Sequence, residues 1–275
     1  MANTISTAFI TQFESEVHLA YQRMGSKLRN TVRQANNVVG STVKFQKIGK
    51  GVANTKSRNA DVTPMSDTAS TLTHSTVTAT LTDHYAPEYI DKLDEIKTNI
   101  DERQAIAQSA GYALGRKTDE LITTALDAGA NATQIADATG ALVKADFITM
   151  FETLGDADIP EDGGRYLALS PAAYADLFNI TEFASSDFVG DQNLPFAGGA
   201  SMKEFMGLKC FATSAVAGGK NYLYHTSAVG LGVGSDVKTE VNYVPEKVAH
   251  LIVAHMSMGA VVIDDNGVYE VLDNN

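Results

Sequence analysis

Phe13, Val17, Tyr21, Met24, Leu28 and Val32 recur at intervals of three or four residues, the spacing of one face of a helix. The pattern predicts an amphipathic helix over residues 4–35, with Ser15, Arg23, Ser26, Asn30 and Arg33 roughly opposite and Gly25 weakening the middle. Such a stripe fits burial on the chain's own body and burial on a partner equally well. Asn36, Asn37 and Gly40 break the helix, and the period then changes to two. STVKFQKI (41–48) sets Val43 and Phe45 on one face with Lys47. LTHSTVTATLT (72–82), rich in β-branched Thr, sets Thr73, Ser75, Val77, Ala79 and Leu81 on a face that turns apolar toward its end, as a strand entering a core does. Between them, GKGVANTKSRNADVTPMSDTAST (49–71) offers only Val52, Val62 and Met65 as sizeable apolar side chains. Two strands and a long polar connection make a ribbon that is marginal alone in water and needs a surface to lie on.

A long helix is predicted over residues 99–128 from Ile106, Ala110, Ala113, Leu114, Leu121, Ile122 and Ala125. Asn99 with Glu102 opens it as a cap, Gly129 follows its end, and Gly111 and Gly115 admit a close neighbour. Shorter elements follow. Phe147, Met150, Phe151 and Leu154 mark a helix over 144–154, GRYLALS (164–170) a strand, and SPAAYADL (170–177) a helix capped by Ser170 with Pro171 at its first position. Residues 178–206 are loop-rich; FATSAV, YLYHTSAVGLGVG and VKTEVNYV read as strands. KVAHLIVAHM (247–256) and MGAVVI (258–263) read as buried strands, and Asp265-Asn266-Gly267 as a hairpin turn into VYEVL. Strands and helices that do not alternate regularly point to an α+β fold.

At 275 residues and 44% hydrophobic, the chain suffices for one large domain or two modest ones. No apolar run reaches the roughly 18 residues of a membrane helix, and the N-terminus has no basic start before an apolar block. A single cysteine, Cys210, excludes an intrachain disulfide framework and fits synthesis in a reducing cytosol. A net charge of −12 argues against a general nucleic-acid binder. Its distribution adds more: residues 1–60 carry nine Lys and Arg against Glu14 and Glu16, while the remainder carries 12 basic and 31 acidic residues. The split is either an uneven surface or a basic piece lying on an acidic body, its own or a neighbour's. A nucleic-acid arm would need aromatics or Gly-rich basic repeats that the segment lacks.

No catalytic, cofactor-binding or metal-binding residue is predicted. Gly230-Leu231-Gly232-Val233-Gly234 has Ser235 where a dinucleotide fingerprint needs its third Gly, and no helix follows, so a strand of small residues is the expectation. His250 and His255, five apart in a strand, face opposite sides. Cys210 in LKCFAT reads as a buried small hydrophobe. Asp156 with Asp158 and Asp264 with Asp265 lie in turns, where carboxylates bond local backbone.

The order of pieces resembles the major capsid proteins of tailed bacteriophages with the Hong Kong 97-type fold. RYLALSPAAYADL (165–177) is similar to the strand-to-helix step of that family's apical domain, and VGLGVGSDVKTEV (229–241) with HLIVAHMSMGAVVIDDNGVYEVL (250–272) to its closing section. The resemblance implies an N-terminal arm (1–37), an extended loop (38–84), a peripheral domain with a spine helix (85–135), an apical domain (136–246) and closing peripheral strands (247–275). It implies a virion subunit that assembles in the bacterial host cytoplasm into hexamers and pentamers. It also implies a portal, and DNA enclosed without sequence-specific binding. With no room for a removable N-terminal scaffold, a separate scaffolding protein is expected. Inter-subunit contacts are expected from Phe13, Val17, Tyr21, Arg23, Lys27, Arg29, Arg33, Lys44, Lys50, Lys56 and Arg58. Lys50 and Lys56 are available for the covalent cross-link some members make, but the partner residues have no match. The alternatives are an encapsulin-type nanocompartment shell, an α+β enzyme with dispersed catalytic residues, and a β-rich extracellular binding protein, the last disfavoured by the missing signal and cysteines.

Overall fold

The computed structural model describes residues 23–65, 72–92, 102–131, 133–136, 140–185, 202–216 and 219–273. Two sheets and a separate ribbon organise them. The first sheet has four strands: β1 (Arg33–Ala35), β4 (Thr82–Asp91), β10 (Val229–Val244) and β11 (Ala249–Val262), in the order β1-β10-β11-β4. The second has six, in the order β5-β12-β9-β6-β8-β7: β5 (Ile135–Ala136), β6 (Arg165–Leu169), β7 (Lys203–Phe205), β8 (Leu208–Ala212), β9 (Lys220–His225) and β12 (Val268–Leu272). The ribbon pairs β2 (Thr42–Ile48) with β3 (His74–Thr80), from Thr42 opposite Thr80 to Ile48 opposite His74.

Helix α1 (Glu102–Gly129) lies against β11 and buries Ala110, Leu114, Thr118, Ile122 and Leu126 at four-residue intervals; the expected Asn99 cap lies outside the described residues. Its core continues into the second sheet through Ala168, Phe211, Tyr222, Tyr224 and Val268, so both sheets share one apolar interior. A second core lies under α2 (Lys144–Asp156), α3 (Pro171–Asp176) and α4 (Thr181–Ala184), around Phe147, Met150, Leu154, Leu167, Leu169 and Leu177. Each such side chain contributes about 1.5–3 kcal/mol by leaving water. Ser170 Oγ accepts from the Ala173 N–H at 3.1 Å, the cap expected for α3.

Three expectations are corrected, and one strand is new. Residues 23–35 are not helical: Gly25 takes a left-handed φ of 70°, Arg29–Thr31 form one 3-10 turn, and β1 pairs in parallel with β10. Leu28 and Val32 are buried, so their spacing reports burial without helix. Thr82–Asp91, unread in the sequence, is the edge strand β4; Pro87 there lacks a ladder donor, which an edge tolerates. The two strands expected over 247–263 are one, β11. Asp265–Gly267 is a 3-10 turn and makes no hairpin. Both edges of β11 are already paired, with β10 and β4, so β12 runs on to pair with β9. β10 pairs with β11 across residue 246, and β12 lies in the six-stranded sheet.

Candidate functional site

Asp119 stands in the buried stripe of α1 with no exposed surface. A carboxylate there must be satisfied. It accepts from the backbone N–H groups of Lys27 and Leu28, each at 3.1 Å, and from the Ser26 hydroxyl, and it pairs with Arg23 at 3.2 Å. Gly115, one turn earlier, lets the chain approach so closely that a Cβ there would meet Gly25 at 2.8 Å. Arg23 also donates to Thr213 Oγ1 at 3.1 Å, and Lys27 Nζ to the Ala212 carbonyl at 3.1 Å. Arg29 forks onto Asp236 with two bonds of 2.8 Å. The pairing holds the Asp236 carboxyl below its ordinary range, since the guanidinium hydrogen-bonds the charged form.

The ribbon is docked at its base and bare beyond. β10 alternates Val229, Leu231 and Val233, buried in the core, with Gly230 and Gly232 facing the ribbon. A Cβ at Gly230 would stand 2.7 Å from the Phe45 ring, at Gly232 2.6 Å from Val43, and at Gly259 2.0 Å from the Thr80 carbonyl oxygen. The glycines thus form the track on which Phe45, 3% exposed, and Ala79 lie, with Arg33 stacked 5.8 Å from the Phe45 ring centroid. Lys47 pairs with Asp264 at 2.8 Å, and Lys50 with Asp158. Past the last ladder pair the chain carries Val52, Val62 and Met65, exposed by 46%, 76% and 43%, with exposed Lys56 and Arg58.

Beside the ribbon base is a cleft of about 660 Å³, lined by Lys47, Lys50, Asp158, His225, Ser227 and Asp264 among others. His225 is buried there. Its Nε2 lies 2.9 Å from Asp162 Oδ1, and its Nδ1 lies 2.7 Å from Ser227 Oγ and accepts the Ser227 N–H at 3.3 Å. The residue types are those of a nucleophilic triad, but the ring caps the 3-10 turn Thr226–Ala228 that carries the serine. Burial pushes the Cys210 thiol up to about 12, so it stays protonated. Among the described residues, no three His, Cys, Asp or Glu side chains converge on a metal position. Among the described residues, no helix is long and apolar enough to cross a membrane.

The profile of the phage capsid protein family matches residues 5–274. The chain belongs to that family. Among solved structures, the cyanophage P-SCSP1u capsid aligns at a TM-score of 0.75 and 18% identity, over 96% of this chain and 93% of that one. Mycobacterium phage Che8 aligns at 0.74 and 17%, over 96% and 97%. The capsid of a native GTA particle aligns at 0.75 and 10%, over 100% and 99%. Comparison with curated proteins finds no match. The fold is therefore the α+β Hong Kong 97-type capsid fold, and the protein is a structural subunit of an icosahedral phage capsid. These matches do not favour the nanocompartment alternative.

In this capsid subunit, the residues expected at subunit contacts fall into three groups. Phe13, Val17 and Tyr21 lie outside the described residues. Arg23, Lys27, Arg29, Arg33 and Lys50 have partners within the chain. Lys44, Lys56 and Arg58 are exposed on the ribbon and its tip. Part of the basic segment thus rests on the chain's own acidic body, at Asp119, Asp158, Asp236 and Asp264. Sequence reasoning missed Asp119, whose signal was an acid inside the apolar stripe of α1, between Leu114 and Ile122. It read Gly230 to Gly234 as a strand of small residues without seeing what that smooth face receives.

Proposed function

We propose that the outer ribbon lies across an adjacent subunit, and that residues 1–22 reach a neighbour as an arm, in hexamers and pentamers of this one chain. In this reading α1 and the four-stranded sheet are the peripheral domain, and the six-stranded sheet with its helices is the apical domain. The observation that carries it is the contrast along the ribbon. Its base is packed on a glycine track, while Val52, Val62 and Met65 stand in solvent beside Lys56 and Arg58. Apolar side chains raised that far from their own core are contact surface for another molecule. A separate scaffolding protein and a portal complete the assembly in the host cytoplasm, and the DNA is enclosed without sequence-specific contacts.

Deleting residues 50–70 tests the ribbon. The variant should be soluble and folded by circular dichroism, and electron microscopy should show no closed shells. Normal particles from it would sink the inter-subunit role.

A further inference from the structure

Residues 23–35 touch both sheets. On the side of the four-stranded sheet, the segment bonds Asp119 of α1 through Arg23, Ser26, Lys27 and Leu28, forks onto Asp236 of β10 through Arg29, and adds β1 to that sheet's edge. On the side of the six-stranded sheet, Lys27 bonds the end of β8 at Ala212 and Arg23 bonds Thr213 just beyond it. Thr31 Oγ1 shares a buried hydrogen bond of 2.5 Å with the Tyr224 hydroxyl of β9. Leu28, with no exposed surface, and Val32 fill the core where the sheets meet. Directional bonds to both sides of a junction resist its bending, which apolar packing alone does less well because it is non-directional.

We propose that residues 23–35 are a strap that fixes the angle between the two sheets, with Asp119 as its positioning residue. Three features support this over a merely filled core. The carboxylate collects four groups of one six-residue stretch, Arg23 to Leu28. The two longest side chains of that stretch both continue to the far sheet. Gly25 and Gly115 bring the backbones together with no side chain between them, so the strap cannot slide outward without losing the Asp119 bonds. Resting on the arm reading above, the strap also has a consequence for assembly. Residues 1–22 join it directly at Arg23, so a neighbour that holds them acts on the same junction.

Spin labels at Glu240→Cys in β10 and Glu152→Cys in α2 report the angle, since both positions are exposed and the native Cys210 is buried. The doubly labelled full chain is diluted into unlabelled chain, and the distance distribution is read by pulsed electron resonance before and after assembly. The wild type should give one narrow distance. Asp119→Asn, and separately the double variant Arg23→Ala with Lys27→Ala, should shift and broaden it. Ile122→Val, which trims the same core and leaves the strap's hydrogen bonds in place, should leave it narrow at a comparable loss of Tm. An unchanged distribution in the double variant, or equal broadening in Ile122→Val, overturns the strap. The double variant keeps the Asp119 carboxylate and its hydrogen bonds from Ser26, Lys27 and Leu28, and decides the matter even if Asp119→Asn does not fold. Deleting residues 1–22 separates the two readings. A narrow distance with failed assembly supports both, whereas normal assembly removes the arm and leaves the strap standing.

Discussion

Gly259 and Gly111 are the same residue under opposite constraints. At Gly259 a methyl group would meet the Thr80 carbonyl oxygen at 2.0 Å, and that atom is backbone of the ribbon, so the ribbon itself must move. At Gly111, inside α1, nothing lies within 4 Å of the same methyl. Gly259→Ala should therefore destabilise by about 1–3 kcal/mol, as overpacking does. Gly111→Ala should stabilise by about 0.5–1 kcal/mol through helix propensity. Thermal unfolding of the two variants checks the pair, and equal shifts in Tm would refute the close approach of ribbon and sheet. Asp236 makes a prediction in pH. Arg29 lowers its carboxyl in the folded chain, so the unfolded state binds more protons as acid is added. The stabilisation is present above the ordinary carboxylate value of about 3.9 and fades as pH falls through the folded value. With the Arg29 side chain 25% and that of Asp236 56% exposed, the pair contributes about 0.2–1 kcal/mol. Asp236→Asn should cost stability near pH 6 and progressively less as the pH is lowered below about 3.9, measured by urea unfolding at each pH. A gap that stays constant across that range would contradict the ion pair.

Elements whose reason is local were legible in the sequence, and those whose reason is distant were not. β2, α2, β6 and α3 each carry their own period or cap, and the structure has them within a few residues of where the pattern puts them. The face of β3 grows buried toward Ala79, as its rising apolarity indicated. The segment after Gly25 failed because its apolar spacing is filled by α1 and the junction core, while its N–H groups are taken by Asp119 from 91 and 92 residues away. No local pattern encodes such a partner. β12 failed for a topological reason: an Asp-Asn-Gly turn favours a hairpin only if the preceding strand has a free edge, and β11 has none. The glycines of β10 were legible as small residues, but their purpose depends on Phe45, some 185 residues earlier. The assembly residues divide the same way. The cations were visible in composition; which of them the chain keeps for itself required the fold.

At the scale of the whole molecule, the chain is an acidic body carrying basic residues, and the in-chain pairs account for only part of the basic charge. Arg23, Arg29, Lys47 and Lys50 are neutralised on their own subunit. Lys56 and Arg58, at the exposed end of the ribbon, are presented outward, toward whatever acidic surface a neighbouring copy offers. One such exposed pair is worth about 0–1 kcal/mol, too little to matter in a dimer. In the proposed arrangement a closed shell would repeat it at every subunit alongside many other contacts, so small terms would compound. The double variant Lys56→Glu with Arg58→Glu should leave the Tm of the unassembled subunit unchanged, because neither side chain packs on its own body. It should slow shell formation at low ionic strength and approach the wild-type rate as salt shortens the Debye length toward about 3 Å near 1 M. Light scattering during assembly, at a series of salt concentrations, reads both effects. Identical kinetics at low salt would show that the charge of the tip takes no part in assembly.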